Sequence, residues 1–446
     1  MSKLKQFREG VFGKADVRQY GMVFSLIAII ALFYITTDGV VLNSANLINV
    51  VSQYSYILIL AIGMVMVIIA GHIDLSVGSV AAFTGIMVAT SMADWGFPWP
   101  LGIVVGILVG MAVGAWQGFW VSRVMVPAFI VTLAGMLIFR GLNQVIGQSA
   151  TVPVPEGFKV IGRGYLPQIG PDLILANGTR IVNTTTLVLG MVAVLLVVWL
   201  EFRKRAKAKS VGNEVPAMWA TIVKLVLLGF VIMFFAFKFS TGNAGTGFPV
   251  SGMILLALVF IYSFIMGNTT FGRHVYAVGG NKRAAALSGV NVQRVNFLVI
   301  ANMSMLAALA GMIYIARAGA SGPQDGVGWE LDAIAAVFIG GAAVTGGVGT
   351  VIGSMVGGLV MAFLNNGLSL MGVDQSWVSV IKGLVLLAAV AFDLISKSND
   401  RSQILPAFMR RSKKRTEEDT VTQLEEPNNP QPVSYTHLTL PTIYSV

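Results

Sequence analysis

The chain is 446 residues long, 55% hydrophobic and only 11% charged, against ~25% charged in an ordinary soluble domain, and its mean hydropathy is +0.78. It contains no cysteine, which excludes disulfide frameworks, thiolate chemistry and cysteine-based metal centres; its three histidines (His72, His274, His437) lie far apart, with no HExxH spacing. The net charge of +10 is carried in short bursts between apolar spans, a pattern of a cytoplasmic membrane face and not of a nucleic-acid binder.

Residues 1–20 are basic and too polar to span a membrane. A first apolar span follows over about 21–37; it lacks a small-residue cleavage site, so it reads as a retained helix and not a removed signal peptide. Further apolar segments run at about 46–70, 77–93, 100–121, 127–146, 184–201, 220–239, 248–267, 295–316, 332–346, 350–371 and 376–396. Each nears the ~20 residues a helix needs to cross hydrocarbon, or is short enough to be re-entrant, as 332–346 is. The expectation is an all-α polytopic membrane protein with about 10–12 transmembrane or re-entrant helices over 21–396. A basic N-terminus (1–20) and a polar tail (397–446) flank it.

Alternation from a cytoplasmic N-terminus puts Arg123, the Arg203–Lys209 cluster, the Arg273–Arg294 loop and the Lys397–Arg415 tail inside. Asp38, Asp94, Glu156, Asp172, Asp325, Glu330 and Asp374 fall on the opposite side, as the positive-inside rule requires. Gly71-His72-Ile73-Asp74-Leu75-Ser76-Val77-Gly78-Ser79 interrupts two apolar runs. A carboxylate bracketed by glycines there marks either a contact or pathway inside the protein, or a tight turn between helices.

Gly106, Gly110, Gly114 and Gly118 recur every four residues, as do Gly349, Gly353 and Gly357. Small residues at that spacing let a second backbone approach closely, in the same chain or a second copy. Val77-Gly78-Ser79-Val80 and Val348-Gly349-Thr350-Val351 form a weak internal echo, each opening an apolar run after a glycine-containing segment.

No catalytic constellation, metal-ligand spacing or GxxxxGK[ST] phosphate loop is present, so any energy comes from an ion gradient or a partner. The loop Gly279-Gly280-Asn281-Lys282-Arg283-Ala284-Ala285-Ala286-Leu287-Ser288-Gly289 reads as a short helix on the basic side, with Asn281 as N-cap and Gly289 as its C′ stop. So short a helix is marginal in water, and its Ala/Leu face wants a protein surface. Lys282 and Arg283 at the positive end of its dipole would be relieved by an acidic partner.

The stretch GHIDLSVGS at 71–79, the loop GGNKRAAALSGVNV, and the run from Glu330 to Thr350 followed by Leu364-Asn365-Asn366-Gly367-Leu368 resemble permease subunits of ribose/xylose/galactose-type ABC sugar importers. The resemblance covers most of residues 20–396. The segments GAWQGFW, PAFIVTLAGMLIFRG and IKGLVLLAAVAFD, with a long insertion around 150–220, look most like the multiple-monosaccharide permeases. It implies a multi-pass protein of the bacterial inner membrane, with both termini cytoplasmic and two permease copies. It also implies a cytoplasmic ABC ATPase that binds the ATP and Mg, this chain holding no cofactor, and a periplasmic sugar-binding protein. The coupling segment received by the ATPase would comprise Gly280, Asn281, Lys282, Arg283, Ala284, Ala285, Leu287 and Gly289. Many relatives carry an acidic residue near the start of that loop, where this chain has Lys282-Arg283, so charge pairing with the ATPase is not carried over.

Candidates for a weakly polar path are Asp74, Ser76, Asn143, Asn302, Asn365 and Asn366, with Arg140, Gln144 and Lys382 beside them. The plain alternative is that each Asn or Gln bonds a neighbouring helix, that Lys382 snorkels, and that Glu330 and Asp332 only favour a helix start. Trp116, Trp120 and Trp377 suit interfacial belts. An ion-driven secondary transporter would want paired mid-membrane carboxylates, and Asp74 is the one the sequence offers. The same ABC scaffold importing a nucleoside or a branched-chain amino acid is the other rival. The last fourteen or so residues, within PVSYTHLTLPTIYSV, resemble translated sequencing-adapter strings and are not expected in the natural protein; a disordered regulatory tail is the alternative.

Overall fold

In hydrocarbon every backbone N–H and C=O needs a partner within its own segment, so apolar runs of membrane length become helices. The computed structural model describes residues 17–170, 173–174, 181–212, 215, 217–242 and 246–397. The expectations placed on residues 1–16, on Asp172 and on the tail beyond 397 lie outside them. In chain order the helices are α1 (Val17–Thr36), α2 (Ser44–Ile69), α3 (Val77–Ala93), α4 (Trp99–Ser122), α5 (Ala128–Ile146) and the short α6 (Glu156–Arg163). They continue as α7 (Thr184–Ser210), α8 (Met218–Ser240), α9 (Val250–Asn268), α10 (Thr270–Gly280), α11 (Lys282–Leu287), α12 (Val292–Ala318), α13 (Trp329–Ile339), α14 (Val351–Leu370) and α15 (Gln375–Lys397). Residues 1–393 form one unit; of a second, 394–446, only the last turn of α15 is described.

Among the described residues eight helices are long and apolar enough to cross a membrane, and Gly21–Thr36, Val77–Ala93 and Gln375–Ala391 are shorter apolar helices. The strands are two-residue pairs: β1 (Val152–Pro153) runs antiparallel to β4 (Ala320–Ser321), and β2 (Leu173–Ile174) to β3 (Ile181–Val182).

From Ile57 on α2 is apolar on every side, and the helix is buried almost throughout, as a segment without a polar face should be. Around it pack α9, α12, α13 and α14; α12 also contacts α3 and α4, and α1 lies on α14. α7 pairs with α8, and the pair exposes Val188 and Leu195 of α7 and Phe230 of α8, an apolar surface suited to lipid.

Two sequence expectations change. The apolar stretch 332–346 is not one span: α13 stops at Ile339, because Gly341, Gly346, Gly347 and Gly349 adopt positive φ and carry the chain as a loop to Thr350. Gly349 therefore lies outside any helix, and its ladder reduces to Gly353 and Gly357. There the α14 backbone meets the carbonyls of Gly340 and Ala336, leaving no room for a side chain.

Candidate translocation and coupling sites

The loop of residues 70–76 turns back into the protein. Buried Asp74 accepts hydrogen bonds from the Ser76 backbone N–H (2.8 Å) and hydroxyl (2.7 Å). The Ser76 hydroxyl accepts from Gln117 Nε2 on α4 (2.8 Å), and Gln117 Oε1 accepts from the Ser304 hydroxyl on α12 (3.2 Å). This relay ties the α2–α3 break to two spanning helices, which gives Asp74 and Ser76 a fixed structural partner set.

The glycine ladder of α4 faces α12 of the same chain. A Cβ at Gly106 would meet Met312 Sδ at 2.3 Å, one at Gly110 the Ala308 Cβ at 2.5 Å, one at Gly114 the Ala301 carbonyl at 2.7 Å, and one at Gly118 the Phe297 ring at 2.9 Å.

Other polar candidates separate into pins and one cavity residue. Asn366 and Asn46 exchange reciprocal bonds between α14 and α2, at 2.8 and 3.0 Å. Asn143 donates to the Gly322 and Pro323 carbonyls (3.3 Å each), and Asn302 accepts from the Tyr262 hydroxyl. The Asn46–Asn366 and Tyr262–Asn302 bonds hold helices in register, and Asn143 pins the loop before α13 to α5.

Asn365 instead lines a cavity of about 730 Å³ between α2, α13, α14 and α15, together with Tyr54, Tyr56, Trp329, Asp332 and Lys382. Lys382 Nζ lies 2.9 Å from Asp332 Oδ2, so this lysine does not merely snorkel. The Tyr56 and Trp329 rings are 4.4 Å apart, backed by Tyr314 at 5.1 and 4.5 Å. Gly372 and Val373 of the α14–α15 turn and Gln375 at the start of α15 also line it. There Asp374, fully exposed, has its carboxyl held below the usual carboxylate range by hydrogen bonds from Ser376, first its backbone N–H (2.8 Å).

Asp74 is not the sole buried carboxylate of the helical bundle. Glu330 and Asp332 are buried too, each with a cation, Arg140 at 3.9 Å and Lys382. Sequence reading missed this pairing because the partners are far apart in the chain; two acids at one helix start and a lone lysine within an apolar run were its only signals.

On the basic side, Asn281 caps α11 through Ala284 N–H (3.0 Å), and Gly289 follows the helix at φ +83°. Every residue of α11 is exposed except Ala285, which packs into the core and so does not lie on the outward face expected of it; Leu287, 90% exposed, is the outward apolar side chain. Immediately before α11, α10 wedges into the bundle. A Cβ on Gly279 would lie 1.6 Å from the Ile69 carbonyl, which itself accepts from Gly347 N–H (2.9 Å). The Tyr276 hydroxyl donates to the Gly349 carbonyl at 2.8 Å. The chain breaks before α3 and before α14 thus meet the end of α10. A second cavity of about 460 Å³, lined in part by Gly71, His72, Lys282 and Asn296, opens beside that junction.

These features define a polytopic helical membrane protein with a polar cavity in its bundle and an exposed helix on its basic face. Residues 46–390 match the family described as "Branched-chain amino acid transport system / permease component", and the chain belongs to that permease family. It is 40% identical to the xylose transport system permease protein XylH of Haemophilus influenzae over 384 residues, 86% of this chain and 97% of that one. XylH of Escherichia coli is 38% identical over 86% of this chain and 93% of its own, and the ribose import permease protein RbsC of Escherichia coli is 32% identical over 86% and 95%. No solved structure matches the chain.

Proposed function

We propose that this chain is the transmembrane subunit of an ATP-driven importer of monosaccharides in a bacterial inner membrane, with both termini cytoplasmic. Its partners in this reading are a cytoplasmic ABC ATPase, a periplasmic sugar-binding protein, a second copy of the permease and the surrounding lipid. The sugar assignment is supported by near full-length likeness to the xylose and ribose permeases, which outweighs the amino-acid wording of the broader family.

The observation that carries the coupling role is α11. A capped helix of six residues presents an almost fully exposed leucine, and it is joined by one residue to α10. Because Gly279 sits against the Ile69 carbonyl and Tyr276 holds Gly349, a displacement of α11 is passed directly to the breaks that precede α3 and α14. ATP hydrolysis in the partner would drive α11, and the two breaks would open or close the path.

Leu287→Glu removes the outward apolar contact without touching the core, and Gly289→Val forbids the left-handed stop. Both variants are expected to reach the membrane at normal abundance, to lose co-purification with the ATPase and to lose sugar uptake. Uptake that persists in either, or in cells lacking the ATPase, rejects this reading. A panel of labelled sugars, nucleosides and branched-chain amino acids then identifies the cargo.

A further inference from the structure

A charged pair buried at membrane depth in a helical bundle is costly and by default marks a functional site. Asp332 and Lys382 are such a pair, and they do not close on a dry contact: both line the cavity of about 730 Å³. The carbonyl oxygen of Asn365, on the same wall, is buried and without a hydrogen-bond partner among the described residues. An unsatisfied buried acceptor beside a charge pair has a standing demand for a donor. Opposite in chemistry is the ring pair of Tyr56 and Trp329, centroids 4.4 Å apart and planes tilted by 49°.

We propose that this cavity is the transit site for one monosaccharide, with its hydroxyls on Asp332, Lys382 and Asn365 and a C–H face against Tyr56 and Trp329. The assignment rests on the importer reading above and deepens it. A monosaccharide carries the matching surface: hydroxyls that both donate and accept around its edge, and C–H faces whose slight positive charge meets the negative face of an aromatic ring. The carboxylate and the Asn365 oxygen accept hydrogen bonds from sugar hydroxyls; the ammonium donates to a ring or hydroxyl oxygen. The volume falls within the ~300–1,000 Å³ of small-molecule sites, larger than the sugar itself, so water shares the space and binding stays weak enough for release. Tyr56 lies near the middle of α2, whereas Gly372 and Gln375 lie at the α14–α15 turn, so the cavity runs from that turn to mid-bundle.

The absence of native cysteine makes the test direct. Ser379 lines the cavity, and Asp94 lies exposed on the turn after α3, away from it. Ser379→Cys and Asp94→Cys permeases are assembled with the ATPase and binding protein in proteoliposomes and treated outside with a membrane-impermeant, sulfonate-bearing methanethiosulfonate. Each variant's ATP-dependent uptake of labelled D-xylose and D-ribose is compared before and after labelling. Labelling Ser379→Cys should lower uptake at least tenfold while ATP hydrolysis stimulated by the loaded binding protein continues; labelling Asp94→Cys should change uptake less than twofold. The proposal is overturned if Ser379→Cys resists the reagent, if its labelled form transports normally, or if stimulated hydrolysis is lost together with uptake. Absence of ATP-dependent uptake in the unlabelled wild-type complex rejects the importer reading itself, and the site assignment with it.

Discussion

Removing one member of the Asp332–Lys382 pair should be more damaging than removing both. At 2.9 Å two unit charges attract by about 6 kcal/mol at an effective dielectric near 20, a gain largely offset by taking both out of water. Lys382→Met leaves a carboxylate that is 5% exposed with no cation, for which the expected loss is roughly 3–5 kcal/mol. Asp332→Asn combined with Lys382→Met removes both charges and should recover most of that loss. The assay is the thermal midpoint of the detergent-solubilised permease, followed by the monodisperse peak in size-exclusion chromatography after heating. A shift of about 5 °C or more is expected for the single variant and much less for the double. Sugar uptake should stay low in both, because the cavity has lost its charged wall. A single variant as stable as the wild type, or a double variant less stable than the single, would refute the reasoning.

Further outcomes follow from backbone contacts. Gly114→Ala already places a methyl carbon 2.7 Å from the Ala301 carbonyl, so even this smallest change should lower membrane abundance, and Gly114→Leu should lower it further; immunoblots of washed membranes measure both. Gly279→Ala puts a methyl group 1.6 Å from the Ile69 carbonyl and should force α10 off the bundle. Its signature is loss of uptake with ATPase binding retained, because α11 itself is unaltered; normal uptake would show that the junction does not transmit motion.

Much of this organisation is legible in the chain alone, and the reason is the solvent. Lipid offers backbone groups no partner, so hydropathy places the spans directly, and basic bursts between them supply the orientation expected under the positive-inside rule. The caps of α11 were equally readable, since Asn281 and Gly289 act on groups within three residues of themselves. The end of α13 was less so. After Asp332 the stretch to residue 346 carries no further charge, and only the positive φ angles at Gly341, Gly346 and Gly347 turn it from a span into a half-length helix and a loop.

Tertiary structure alone decided the pairings. Asn46 finds Asn366 across 320 residues, and Lys382 finds Asp332 across 50; hydrophobicity treats each as an isolated cost, because it carries no information about which helices become neighbours. The same holds within α11, where Ala285 and Leu287 are equally apolar in sequence, yet one is packed into the core and the other faces outward. Helical spacing defines a face, but the direction of that face depends on where α10 and α12 anchor the segment. Burial, and hence which polar groups remain free to meet a substrate, is a property of the assembled bundle.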